Sequence, residues 1–112
     1  MTTVPDTSER GDGGEHPRHR LEQPLLHAVR FSIVATLAAT EMAEFAFVRD
    51  TVEVSDSVLS KQVALLESAG FVSVLKGYAG NRPRTWLRLT PSGREAFTRH
   101  LDALRDIARD GG

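Results

Sequence analysis

Apolar residues between positions 24 and 39 recur at helical spacing. Leu26, Val29, Ile33, Val34, Leu37 and Ala38 form one broad stripe, which predicts a first helix from about Pro24 to Ala39. Arg30 interrupts the stripe, and His27, three residues before it, reads as a helix-surface or core-edge residue. A short second helix follows from Ala43 or Glu44 to Thr51, with Phe45 and Val48 facing inward and Phe47 as a further inward candidate. Val52-Glu53-Val54 then makes a tight link to Ser55, whose hydroxyl can accept from the free amides of the next helical turn. A third helix is expected from Asp56 to about Ala69. Leu59, Val63 and Leu66 fall there at i, i+4 and i+7, and Gly70 stands where a left-handed C-terminal cap is wanted.

The period then changes. Phe71-Val72-Ser73-Val74-Leu75 is short and rich in aromatic and β-branched residues. Arg84 to Leu89 alternates, with Leu87 and Leu89 on one face and Trp86 and Arg88 on the other. Lys76 to Pro83 between them carries turn residues and predicts a hairpin with a long, basic, flexible tip. Thr90-Pro91 opens the last helix, threonine as cap and proline where its missing amide costs nothing. Phe97, Leu101, Leu104 and Ala108, with His100 and Ile107 beside them, make a stripe over three turns. At the other end, residues 1–20 hold two prolines, three glycines, seven charges and a single large aliphatic, Val4. Such a segment buries too little apolar surface to offset its ordering entropy and is expected to be a disordered tail, leaving one domain over 21–112. The expected fold class is mainly α (α+β), a winged helix-turn-helix: a three-helix core whose second and third helices are joined by a short turn, a β-hairpin wing and a C-terminal dimerisation helix.

Charge sharpens this picture. The formal net charge is −1, but its distribution is uneven: Leu21 to Asp56 holds six acids and two bases, whereas Ser57 to Arg94 holds six bases and one acid. A basic island in an acidic chain can steer an anionic polymer to one face. With Leu59, Val63 and Leu66 committed to the core, Ser57, Ser60, Lys61, Ala64 and Ser68 lie on the opposite face of the third helix. Small or hydrogen-bonding side chains with one cation suit insertion into a major groove. Asp56 is the exception and is assigned to the helix N-terminus, which favours negative charge. The hairpin supplies Lys76, Tyr78, Asn81, Arg82 and Arg84. Pro83 holds the backbone extended and is expected to aim both flanking arginines outward, toward phosphate or a narrow minor groove.

The absence of cysteine removes disulfides and thiolate sites and fits a reducing cytoplasm. The longest apolar run, Phe31 to Ala39, is too short to span a bilayer, and no apolar core of a secretory signal is visible near the N-terminus. No membrane partner is expected.

From Leu25 to about Ala108 the chain resembles the winged helix DNA-binding domain family related to MarR and ArsR regulators. The resemblance is carried by 27-HAVR-30, 44-EFAFVR-49, 55-SDSVLSKQV-63, 66-LESAGFV-72, 76-KGYAGNRPRT-85 and 89-LTPSGR-94, in that order and spacing. It implies sequence-specific double-stranded DNA binding as a homodimer, a repressor with its third helix in the major groove. Ser55, Ser57, Ser60, Lys61, Gln62 and Ala64 would then read the groove. Gln62 stands where the family often has histidine, and Asn81 replaces one basic wing residue. A small domain has little core to cover its last helix, so Leu26, Phe97, Leu101, Leu104 and Ala108 are assigned to a two-fold interface, which predicts a near-palindromic operator.

Three other classes compete with this reading. Catalysis finds no HExxH, nucleophile elbow or glycine-rich phosphate loop. A metal sensor would need His100 and Asp102 across a dimer, although the pair reads better as exposed residues flanking the stripe, so no cofactor is expected. An unknown organic effector between helices stays open. A protein-interaction module is favoured by Trp86 alone, which packing against the base of the wing or the last helix also explains.

Overall fold

Residues 15–111 are described in the computed structural model of the chain. Two 3-10 turns, Pro17–Arg20 and Gln23–Leu26, precede α1 (Ala28–Ala38), β1 (Ala43–Glu44), α2 (Phe45–Val52), α3 (Asp56–Ser68), β2 (Val72–Ala79), β3 (Arg82–Leu89) and α4 (Pro91–Gly111). This is the winged helix order. The core joins Ile33, Val34 and Leu37 of α1 to Val48 of α2, Leu59, Val63 and Leu66 of α3, and Leu87 and Leu89 of β3. Each fully buried aliphatic side chain contributes about 1.5–3 kcal/mol.

The first helix is shorter than its stripe suggests. Leu25 is buried and Val29 packs on the core, so apolar spacing runs on across a break in the backbone. The break is at His27, which is extended and caps α1: its Nδ1 accepts from the amides of Val29 and Arg30. The other end of α1 is closed from α4, where the Arg94 guanidinium donates to the carbonyls of Ala38 and Thr40 at 3.2 and 2.8 Å. Within α2 the inward side is Phe45 and Val48. Phe47, an inward candidate by spacing, points to solvent and is 57 % exposed.

The expected tail also begins to order earlier. Pro17–Arg20 is a 3-10 turn with Pro17 buried, and Arg20 pairs with Asp106 of α4 at 2.7 Å. Asp106 is held below the usual carboxylate range by Arg20 and, on its own helix, Arg109. Residues 1–14 of that expectation lie outside the described residues.

The wing is tighter than expected. β2 and β3 pair antiparallel from Val72 opposite Leu89 out to Ala79 opposite Arg82, leaving only Gly80 and Asn81 as the turn. Gly80 has φ +66°, and Asn81 keeps a negative φ, the glycine-first form of two-residue hairpin turn whose twist suits the strands. The residues assigned to a flexible tip are therefore ladder residues. A third strand completes the sheet: Ala43 and Glu44 pair with Leu87 and Trp86 in the order β1-β3-β2. Trp86 packs at the base of the wing over Gly77, where a Cβ would come within 3.2 Å of the ring.

Thr90 opens α4 as its sequence suggests, accepting from the Gly93 amide and donating to the Gly70 carbonyl. The buried face of α4 consists of Gly93, Ala96, His100 and Ala103 rather than the large residues. His100 is buried rather than exposed beside Asp102 as its place in the sequence suggests. Its Nδ1 accepts from the Glu22 amide at 3.0 Å, and its ring lies 5.6 Å from that of Phe31.

Candidate nucleic-acid interface

The start of α3 is built from three local devices. Glu53 takes a left-handed conformation, φ +61°, to turn the chain out of α2. Ser55 caps α3 by accepting from the Val58 amide, and its hydroxyl lies 3.2 Å from that of Ser57. Arg49 at the end of α2 is clasped by Asp50 and by Asp56, the latter at 2.8 Å. These two carboxylates raise the guanidinium pKa still further, so Arg49 is a permanent cation at the helix-turn-helix junction. Asp56 is thus partnered at the α3 N-terminus, in keeping with its assignment there.

Along α3 the expected core residues and the expected groove-facing residues separate with one exception, and Val58 and Leu65 are exposed as well. Leu59, Val63 and Leu66 are buried, whereas Ser57, Ser60, Lys61, Ala64 and Ser68 are exposed. Gln62 is the exception and corrects its assignment as a groove-reading residue. It is 8 % exposed and points inward, its Oε1 accepting from Arg30 Nη1 at 2.9 Å. The sequence carried the signal: Gln62 lies three residues after Leu59 and four before Leu66, on the apolar stripe.

The wing stands beside this face. Ser60 and Ala64 of α3 and Lys76, Pro83 and Arg84 of the hairpin line one groove of about 470 Å³, floored by Val63, Val74 and Leu87. Lys76, Tyr78, Asn81 and Arg82 are exposed. Among the described residues, Lys61, Lys76, Arg82 and Arg88 take part in no ion pair. Arg84 behaves differently from the expectation that it aims outward. It is half-buried, its Nη1 lies 3.4 Å from Glu44 Oε1, and its Nε is buried without a hydrogen-bond partner. β1 is the reason: it places Glu44 diagonally across the ladder from Arg84, and two residues with no strand signature gave no warning of it. Arg88, exposed on β3, adds a cation that the sequence pattern did not single out.

The residues assigned to a two-fold interface divide as well. Leu26, Leu104 and Ala108 are exposed and Leu101 is half-exposed. Phe97 is instead half-buried within the chain, packed on the core with its ring 5.8 Å from that of Phe31. Among the described residues no group of histidine and acidic side chains could hold a metal ion, and no helix is long and apolar enough to cross a membrane.

Comparison with known proteins agrees with this geometry. Residues 29–108 match the family model described as a winged helix DNA-binding domain. An uncharacterized protein of Methanocaldococcus jannaschii is 28 % identical over 82 residues, which is 73 % of this chain and 89 % of that protein. Among solved structures, the transcriptional regulator homologue from Pyrococcus horikoshii OT3 superposes with a TM-score of 0.75 at 27 % identity, covering 80 % of this chain and 88 % of its own. The M. tuberculosis transcriptional regulator MOSR, solved with DNA, gives 0.65 at 18 % identity over 84 % and 67 % of the two chains. A MarR family regulator from Silicibacter pomeroyi gives 0.58 at 15 % identity over 75 % and 58 %.

Proposed function

Since the chain belongs to the winged helix DNA-binding domain family, we propose that it is a homodimeric, sequence-specific repressor that reads double-stranded DNA with α3. One observation carries the reading: small residues of the α3 outer face and an unpaired cation of the wing border the same groove, Ser60 and Ala64 on one side and Lys76 on the other. In this reading Ser57, Ser60 and Lys61 meet base edges in the major groove, with Ser55 at its rim. Lys76, Tyr78, Asn81 and Arg82 lie along the backbone or the minor groove. Arg84 supports the wing through Glu44 rather than reaching DNA first. The protein acts without catalysis, by occupying its operator.

Two copies joined through the outer side of α4 and Leu26 would set their α3 helices about 34–36 Å apart, one turn of DNA. Selection of binding sites from a random duplex pool tests the whole reading. The expected outcome is a near-palindrome. On that site Lys61→Ala and Ser57→Ala each cost about 1–3 kcal/mol of discrimination against scrambled duplex. Arg82→Ala should instead weaken all duplexes alike and reduce the log–log salt slope by about 0.9. Recovery of no preferred sequence would overturn the reading.

A further inference from the structure

Two apolar stripes in this chain are each broken by one polar residue, Arg30 on α1 and Gln62 on α3, and the fold brings the two breaks together. Arg30 Nη1 donates to Gln62 Oε1 at 2.9 Å, and Arg30 Nε donates to the Pro24 carbonyl at 2.7 Å. Neither group could be left buried without a partner at less than about 1–3 kcal/mol, so the pair is a matched set. An apolar pair of similar volume would fill the same space without any directional demand.

The segment that receives the second bond is held in turn by α4. The Glu22 amide donates to His100 Nδ1 at 3.0 Å, the Glu22 carboxylate pairs with Arg99 at 3.1 Å, and Leu25 is buried between. Residues 22–25 are therefore fastened to α4 on one side and, through the fork of a single guanidinium, to α3 on the other. Arg30 is the one residue whose side chain bonds both the N-terminal segment and α3 among these contacts. A hydrogen-bonded fork adds a directional restraint on the rotation of α3 about its axis to the one set by the packing of Leu59, Val63 and Leu66.

We propose that Arg30 and Gln62 are positioning residues for DNA recognition: they form a relay that sets the orientation of α3 from the N-terminal segment and, through it, from α4. The inference rests on the reading of α3 as the DNA-contacting helix. In it, neither side chain touches DNA. A helix free to rotate by a fraction of its circumference still presents Lys61 to phosphate but no longer aligns Ser57 and Ser60 with particular base edges. The relay therefore governs discrimination between sequences more than affinity for duplex in general.

The test uses the full chain and the duplex recovered by site selection, with a scrambled duplex as reference. Gln62→Met keeps length and volume but removes the acceptor. Gln62→Glu keeps an acceptor for Arg30. The expected result is that Gln62→Met lowers the ratio of selected to scrambled affinity about tenfold, with scrambled-duplex affinity unchanged, while Gln62→Glu restores the ratio to within about threefold of wild type. Arg30→Met should lower the ratio as Gln62→Met does, and the double variant no further than either alone, because both break one link. Should Gln62→Met fail to fold, Arg30→Lys serves in its place, since an ammonium keeps the charge but lacks the planar fork. A folded Gln62→Met, or Arg30→Lys in its stead, that discriminates like wild type overturns the inference and leaves the role of α3 standing. Equal losses for Gln62→Met and Gln62→Glu overturn it as well. A wild-type protein that shows no sequence preference at all defeats the reading of α3 itself, which is a different outcome.

Discussion

Helices α3 and α4 solve the same packing problem in opposite ways. On α3 the large aliphatics Leu59, Val63 and Leu66 face the core, and the outer side carries Ser57, Ser60, Lys61, Ala64 and Ser68 together with the exposed Val58 and Leu65. On α4 the inner side is Gly93, Ala96, His100 and Ala103, while Leu104 is exposed and Leu101 and Ile107 are only partly covered. The difference teaches that the largest apolar residues of a helix are not always its innermost ones. Small residues let α4 approach the end of the sheet closely enough for the Thr90 amide to donate to the Phe71 carbonyl. Of its larger residues Phe97 still packs on the core, whereas Leu104 is left exposed. The serines and Lys61 exposed on α3 suit a hydrated, anionic partner. On α4 the exposed Leu104, beside the partly covered Leu101 and Ile107, is the apolar surface that the proposed dimer would cover.

The hardest test of this contrast is Gly93→Ala. A Cβ at position 93 would fall 2.2 Å from the Phe71 carbonyl oxygen, and the obstacle is backbone that cannot swing aside. We expect a loss of about 3 kcal/mol or more, at the upper end of overpacking effects, read by chemical denaturation. Wild-type stability in this variant would mean that α4 does not need its small inner face. Leu104→Glu probes the outer face of the same helix. The charge is placed at a site already 39 % exposed in the single chain, so monomer stability should change by no more than about 0.5 kcal/mol. In the proposed dimer it would sit in the seam, and sedimentation at micromolar concentration should show dimers for wild type and monomers for the variant. A wild-type protein that sediments only as monomer breaks the dimer proposal.

These two helices also show what the sequence made readable. The order of the helices and the hairpin followed from period, helped by cap and turn residues, because helices and strands bury residues at 3.6 and 2.0 spacing. The α3 stripe was readable residue by residue. The α4 stripe was not, since a pattern search weights Phe97, Leu101 and Leu104 and passes over glycine and alanine, whose contribution is proximity. β1 escaped because Ala43-Glu44 has no strand character and pairs only because the edge of β3 is there. The length of the wing escaped for a related reason: Gly77, Tyr78 and Pro83 read as turn residues, yet ladder pairing with the facing strand overrides local preference. Within the candidate interface, the exposed face of α3 and most of the wing were legible. The inward turn of Gln62 was legible too, had its place on the stripe been weighed above its polarity.

His100 gives a smaller effect that still belongs to the inner face of α4. Burial lowers its pKa from the ordinary 6.5, opposed by the Glu22 carboxylate, which is itself paired with Arg99; the ring of Phe31 faces it from α1. The neutral imidazole accepts the Glu22 amide, and an imidazolium protonated at Nδ1 could not. Because the folded-state value is depressed, the unfolded chain binds the proton more readily between that value and 6.5. Stability should therefore be fully present above about pH 6.5 and fall as the pH drops through the depressed value. Denaturation midpoints measured from pH 7.5 downward should show this slope, and His100→Phe should flatten it. An unchanged slope in the variant would assign the pH dependence to other groups.

The smallest effect separates the ways the two helices begin. The chain reaches α3 through Glu53, the one described residue other than glycine at positive φ. It reaches α4 through Thr90, whose hydroxyl donates to the Gly70 carbonyl at 2.6 Å and accepts from the Gly93 amide at 2.9 Å. A left-handed residue with a Cβ costs about 1–2 kcal/mol, and glycine removes that cost while adding freedom to the unfolded chain worth about 0.4–1 kcal/mol. Glu53→Gly should therefore stabilise by about 0.5 kcal/mol. Thr90→Gly relieves nothing and removes both hydroxyl bonds, so it should destabilise by about 1 kcal/mol. The same replacement ahead of α3 and ahead of α4 is expected to change stability in opposite directions, measured by paired denaturation curves in one buffer. If both variants lose stability, the left-handed turn at Glu53 carries no strain for glycine to release, and the two helix starts differ only in their hydrogen bonds.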